Sequence, residues 1–355
     1  MHALSLIERA CASAFLRLPP RALRTIVGPA LRSPEGHALD LQSQALLLLV
    51  RLRGEPVEHS GPVEDLRRRF DRACRILEPL ADSPVRTRHV TIPGAAGARP
   101  VRIFKPASVR RGLCPALLWF HGGGFVVGSI EGHEGICRAL ASQAGVLVLA
   151  VDYRLAPEHP FPAGVDDARA VTQWVLDHGE TFGVDPEAVV VGGDSAGGNF
   201  AAVVSQDLRG ARRQPIAQLL VYPPTDARRG EPSHRHFARG FVLSEENIGW
   251  YLRQYIPDPS YVDHPRVSPL LARDLSALPH AIVVTAGFDP LRDEGRAYAD
   301  RLRAAGVTVT ELRAESALHG FIHTAGAIDE SARLFAWIAE RLRQVLLTRV
   351  RASAA

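Results

Sequence analysis

The stretch that decides the fold runs from Ala188 to Ala202 and reads AVVVGGDSAGGNFAA. Its first part, Ala188–Val191, is an unbroken apolar run, the pattern of a strand covered on both faces. Its last part is small and rich in alanine, and predicts a helix over Ala196–Leu208. Between them stands Gly193-Asp194-Ser195-Ala196-Gly197, a Gly-x-Ser-x-Gly pentapeptide. A strand that turns this sharply into a helix holds the serine in a strained conformation. Only residues as small as Gly193 and Gly197 let neighbouring backbone pass that closely. The hydroxyl is then presented at the C-terminal edge of a sheet, where open α/β sheets bind ligands, beside the free N–H groups of the new helix.

The same alternation extends outward. Candidate strands are Arg88–Ile92, Val101–Phe104, Ala116–Phe120, Val146–Val151, Gln218–Val221, Ala281–Ala286 and Val307–Leu312. Candidate helices are Gly132–Gln143, Val165–His178, Glu245–Tyr255, Asp293–Ala305 and Glu330–Leu347. Strand followed by helix, repeatedly, argues an α/β fold with a mainly parallel central sheet. Before residue 85 the chain reads helical and poor in strands. An amphipathic helix ends at Pro19-Pro20, and another spans Val63–Leu80. The link 222–280 is long for a compact domain and is rich in aromatic residues (Phe237, Phe241, Trp250, Tyr251, Tyr255 and Tyr261). It reads either as the wall of an apolar pocket or as a helical insertion packed on the core.

Composition narrows the function. The chain has 355 residues, 46% of them hydrophobic, and a net charge of +4, which suits a packed soluble protein and excludes a mainly disordered one. No apolar run reaches the roughly 18–20 residues of a membrane span, and no signal-peptide pattern opens the chain, so a cytoplasmic location is expected. Cys11, Cys74, Cys114 and Cys137 have neither zinc nor redox spacing and read as reduced thiols. All 42 basic residues except Lys105 are arginine. There is therefore no P-loop lysine, and Schiff-base chemistry would rest on Lys105 alone. The arginines are scattered without an aromatic-rich basic motif, which argues against nucleic-acid binding.

The chemistry gathers at three further places. His121-Gly122-Gly123-Gly124 follows the strand Ala116–Phe120, and glycines let backbone N–H groups approach the oxyanion that develops in acyl transfer. The expected donors are amides among Gly122, Gly123 and Gly124, together with that of Ala196. A serine nucleophile needs a base, and the base needs an orienting carboxylate. Asp289 and His319 both follow candidate strands, in the chain order Ser…Asp…His. Asp293 is the alternative acid, although it looks more like the N-cap of the next helix. The pairs His234/His236 and His319/His323 lack a third ligand, so no metal is expected, and the chemistry asks for no cofactor.

Taken together, these residues resemble the bacterial hormone-sensitive-lipase-like carboxylesterases of the α/β-hydrolase fold. The resemblance runs from about residue 85 to 345 and rests on Ala116–Ser129, Asp152–Glu158, Phe161-Pro162-Ala163, Gly193–Gly198, Gly287–Leu291 and His319-Gly320-Phe321. The chain departs from the family pattern at Gly192, Gly132 and Leu318, none of which touches the chemistry. The resemblance implies a mainly parallel sheet of about eight strands with helices on both faces. It implies Ser195, Asp289 and His319 as the triad, and an oxyanion hole from Gly123, Gly124 and Ala196, with Gly122 the less secure member. It implies a catalytic domain over 86–350, and a helical cap formed by residues 1–85 and an insertion at about 225–275. The expected partner is a small-molecule ester, and a homodimer through the last strand or helix is plausible on family grounds. The same resemblance extends to plant gibberellin receptors, which bind a ligand and lack the triad histidine; His319 argues against that reading. A loop-bracing role is expected for His121, and Asp152 and Glu158 are expected as buried partners of Arg154.

His319 must be neutral to act as a base, so the rate of hydrolysis should fall on acidification. A rate profile that stays flat from about pH 5 to 8 would count against His319.

Overall fold

The computed structural model describes residues 2–52, 54, 61–109 and 112–353. Helices α1 (His2–Leu16), α2 (Pro20–Val27), α3 (Leu41–Leu52) and α4 (Val63–Ile76) precede the sheet. Pro20 does not simply stop the first helix. It occupies the opening turn of α2, where its fixed φ fits and its missing N–H costs nothing. α4 ends at Ile76, four residues earlier than the pattern suggests, with Leu77 as its C-cap before Pro79.

The sheet holds β1 (Val85–Gly94), β2 (Gly97–Pro106), β3 (Cys114–Phe120), β4 (Leu147–Val151), β5 (Val184–Asp194), β6 (Ala217–Val221), β7 (His280–Phe288) and β8 (Val309–Leu318). Their order is β1-β2-β4-β3-β5-β6-β7-β8. β1 and β2 are antiparallel to their neighbours, and β4, β3 and β5 to β8 run parallel. Between and after the strands come α5 (Glu134–Ala144), α6 (Ala163–His178), α7 (Ala196–Asp207), α8 (Pro232–His236), α9 (Glu245–Tyr255), α10 (Arg292–Ala304) and α11 (Asp329–Ser353). This is the α/β-hydrolase fold.

Alternation along each strand separates two cores. In β3, Leu118 and Phe120 face the layer of α6, α7 and α10, whereas Leu117 and Trp119 face α5 and α11. In β5, Val189 and Val191 face the first layer, and Ala188 and Val190 the second. Both faces are therefore apolar, which is why these strands read as unbroken runs. No helix among the described residues is long and apolar enough to cross a membrane.

The long link serves both of its expected uses. Tyr255 is buried and stacks on Phe125 at 3.9 Å between ring centroids, while Phe241 and Tyr251 line a cavity of about 1160 Å³. Lys105 sits exposed on β2 just beyond Phe104, which pairs with Val148 near the start of β4.

The expectation for Arg154 is corrected. Its partner is Asp167 of α6, whose carboxylate is fully buried and accepts from Arg154 Nε at 2.7 Å and Nη2 at 3.0 Å. Glu158 instead forms a two-pronged pair with Arg67 of α4, at 2.9 and 2.6 Å, and Asp152 takes no part. Sequence proximity favoured Glu158, but the helical turn of α6 carries Asp167 inward under the Arg154 head. Asp167→Ala leaves that partly buried guanidinium without its carboxylate, and is expected to cost about 1–3 kcal/mol. Chemical denaturation checks this, and an unchanged midpoint would contradict it.

Candidate active site

Ser195 stands between β5 and α7 with φ 50° and ψ −121°. For a residue with a side chain this costs on the order of 1–3 kcal/mol, so the surroundings must enforce it. Its amide donates to the Val221 carbonyl at 2.9 Å, and a Cβ on Gly193 or Gly197 would collide with the Phe120 carbonyl.

Strand register brings the other two members together. Phe288 of β7 pairs with Leu318 of β8, so Asp289 and His319 leave the sheet side by side. β8 runs six residues further than its apolar pattern suggests, and a register shift between Ala286 and Phe288 absorbs the mismatch. Gly287 sits at that shift, where a side chain would strike the backbone of Glu315. His319 Nδ1 is 2.7 Å from Asp289 Oδ2, and Nε2 is 3.2 Å from Ser195 Oγ. Asp289 is fully buried, and its Oδ1 accepts the Leu291 N–H at 2.9 Å. A carboxylate at Nδ1 fixes the proton there and leaves the Nε2 lone pair facing the serine hydroxyl. The ring of Tyr222 lies 4.5 Å behind the imidazole. Hydroxyl, imidazole and buried carboxylate thus form one hydrogen-bonded series, which can take a proton off the serine as its oxygen attacks.

Gly123 (φ 120°) and Gly124 (φ 58°) turn the loop after β3 toward the serine. Their amides and that of Ala196 have no backbone acceptor outside regular structure among the described residues. All three residues line the cavity that holds Ser195 and His319. Gly122 is a correction. Its N–H donates to Asp194 Oδ1 at 2.9 Å, with His133 Nε2 at 3.3 Å, so it points away from the cavity and braces the loop instead. His121 braces it too: its carbonyl accepts from the Tyr153 hydroxyl at 2.6 Å. Burial pushes the His121 imidazole down to about 3, which keeps it neutral.

Asp293 is also a correction. Leu291 occupies the N-cap position of α10, and Asp293 lies in the first turn, paired with Arg292 at 2.7 Å and accepting the Ser233 N–H at 2.9 Å. It does not approach His319 by any of these contacts.

Sequence reasoning missed a charged cluster directly beneath the serine. Asp194 Oδ2 lies 3.3 Å from His323 Nε2, and Oδ1 lies 3.4 Å from His133 Nε2. Burial would raise the Asp194 carboxyl, but His133 and His323 hold it well below the usual carboxylate range. Burial would likewise lower His323, yet Cys74 and Asp194 raise it to about 10. The available signal was position: Asp194 is the last residue of β5, and His323 lies one turn beyond His319. His133, Asp194 and His323 each offer one ligand atom, all within 4.8 Å of one another. His234 lies between Glu245 (3.2 Å) and Glu294 (2.7 Å), and His236 is exposed. His319 and His323 likewise face different partners, His319 with Ser195 and Asp289 and His323 with Asp194.

The cavity above Ser195 measures about 1160 Å³. Its walls come from α3, α4 and the segment that carries α9.

Residues 117–323 match a family model described as alpha/beta hydrolase fold. The chain belongs to that family. It is 42% identical over 299 residues to a carboxylic ester hydrolase, LipN, of Mycobacterium tuberculosis, covering 81% of this chain and 78% of the relative. It is 35% identical over 292 residues to an ethyl acetate hydrolase of Pseudomonas putida, covering 81% and 92%. Among solved structures, a hyperthermophilic esterase from Pyrobaculum calidifontis superimposes with a TM-score of 0.79 at 37% identity, covering 84% of this chain and 97% of that one. These family relatives agree with the resemblance carried by the motifs.

A testable consequence concerns His323. Its folded pKa lies above that of a free imidazole, so it contributes stability that is fully present below about pH 6.5 and is lost as the pH rises toward about 10. His323→Gln should therefore flatten the fall in melting temperature across that window. Parallel curves for the two proteins would contradict the assignment.

Proposed function

We propose that this protein is a serine carboxylic ester hydrolase that cleaves short- to medium-chain acyl esters through an acyl-enzyme. The observation that carries the reading is the series Ser195–His319–Asp289 at 3.2 and 2.7 Å, opening on a cavity lined by Gly123, Gly124 and Ala196. His319 takes the Ser195 proton as Oγ attacks the ester carbon. The carbonyl oxygen gains negative charge, which the amides of Gly123, Gly124 and Ala196 receive. His319 then returns the proton to the departing alcohol. Water repeats the sequence on the acyl-enzyme, and Ser195 is restored with release of the acid. Asp289 orients the imidazole and stabilises its charged form without itself taking the proton.

In this reading the helices before residue 85 and the insertion at about 225–275 act as a cap. The same triad could cleave amides, but relatives named for ethyl acetate and for carboxylic esters favour the ester. A histidine within reach of the serine favours turnover over a purely binding role.

The test is hydrolysis of p-nitrophenyl butyrate by the purified protein and two variants. Ser195→Ala should abolish turnover, a loss of about 10⁴-fold or more. Gly124→Ala places a Cβ against the Tyr251 ring and disturbs one oxyanion donor. It should lower kcat by about 10²–10³ with a smaller change in KM. Turnover that survives in Ser195→Ala would overturn the proposal.

A further inference from the structure

The lining of the same cavity carries an unbalanced set of cations. Gly249 lies on α9, and the space its side chain would fill is occupied by two guanidinium heads. The Nη1 atoms of Arg229 and Arg253 lie 3.0 and 3.3 Å from where a Cβ would stand. The two heads therefore come within about 6 Å of each other, close enough for appreciable repulsion where water is partly excluded. Arg229 is neutralised by Glu245 at 2.7 Å. Arg253 has no carboxylate partner among the described residues, and neither has Arg239, which lines the same cavity. Arg51 arrives from α3 and donates its Nη2 to the Gly240 carbonyl at 3.1 Å, and among the described residues it too has no carboxylate partner.

Among the described residues, three lining guanidinium groups, with Arg51 beside them, thus face two lining carboxylates, Glu245 and Glu246. The other acid of the cavity, Asp194, is taken up with His323 beneath the serine. The rest of the lining is largely apolar, with Phe70, Phe241, Val242 and Tyr251. Guanidinium is the side chain best shaped to hold a carboxylate by paired hydrogen bonds, and like charges in excess of their counter-ions favour an anionic guest.

Resting on the ester-hydrolase reading, we propose that this cavity selects esters that carry an anionic group. A carboxylate at the end of an apolar body would reach the arginines while the ester carbonyl sits at Ser195. The excess of arginine over acid in this lining and the convergence over Gly249 are both needed for that selection. Neither serves proton transfer at Ser195.

The experiment measures kcat/KM for two matched pairs. One pair places the charge on the acyl side, p-nitrophenyl hemiglutarate against p-nitrophenyl pentanoate. The other places it on the alcohol side, 4-acetoxybenzoate against 4-acetoxybenzamide. In at least one pair the anionic member should be favoured about fivefold or more at low ionic strength, and added salt of about 0.5 M should shrink the advantage. The double variant Arg239→Glu/Arg253→Glu, changed only at exposed positions, should lower the anionic-to-neutral ratio about tenfold or more. Gly249→Ala, which pushes both heads aside from within, should lower the same ratio. Equal rates within both pairs, or a ratio that neither variant moves, would overturn the proposal. Failure of the neutral esters as well as the anionic ones would instead strike the hydrolase reading.

Discussion

The molecule turns on one close crossing, where the carbonyl of Phe120 at the end of β3 passes over Gly193 and Gly197. No Cβ fits at either position. This contact lets α7 begin directly on top of the strand it follows, and it forces Ser195 into positive φ. It also sets the start of the loop 121–124 against the start of α7. The amides of Gly123, Gly124 and Ala196 converge because two strand ends have been drawn together, and not because any one loop is specially shaped. Strain of a few kcal/mol at one residue is tolerable in a core packed on both faces of an eight-stranded sheet.

The ion cluster under the serine secures that geometry. Asp194 follows Gly193 and shares its strand end, and its carboxylate holds the Gly122 amide while His323 and His133 hold the carboxylate. β5, the loop after β3, the segment after His319 and the lead-in to α5 are thereby tied through one buried anion. An unpaired buried carboxylate would be costly, so the four segments keep their places together or lose them together. The segment after His319 and the glycine loop are therefore coupled through a residue outside the hydrogen-bonded series Ser195–His319–Asp289.

Much of this was legible in the sequence, and the exceptions have physical causes. Glycine spacing around Ser195 could be read because only one residue type survives such backbone contact. Asp289 and His319 could be read because strand ends are where an open sheet places its ligands, although only the pairing of Phe288 with Leu318 explains why they meet. Gly122 was misjudged because three adjacent glycines look alike in sequence, and only the Asp194 carboxylate distinguishes the one turned inward. Arg154 was misjudged for the opposite reason. Its neighbours in sequence were acidic, but its partner came from a helix thirteen residues on. The mixed character of the link 222–280 could not be resolved at all, since an aromatic residue that packs on the core and one that lines a pocket have the same period.

The arginine-rich composition has a practical side. Lys105 holds the chain's lone side-chain amine, exposed on β2 near the edge where β4 begins. Ser195, Asp289 and His319 all stand at the other edge, where the parallel strands end. Apart from the amino terminus, amine-directed coupling has a single point of attachment. Tethering through it would give an oriented layer in which every molecule is held by its back and turns the same open mouth toward the solution.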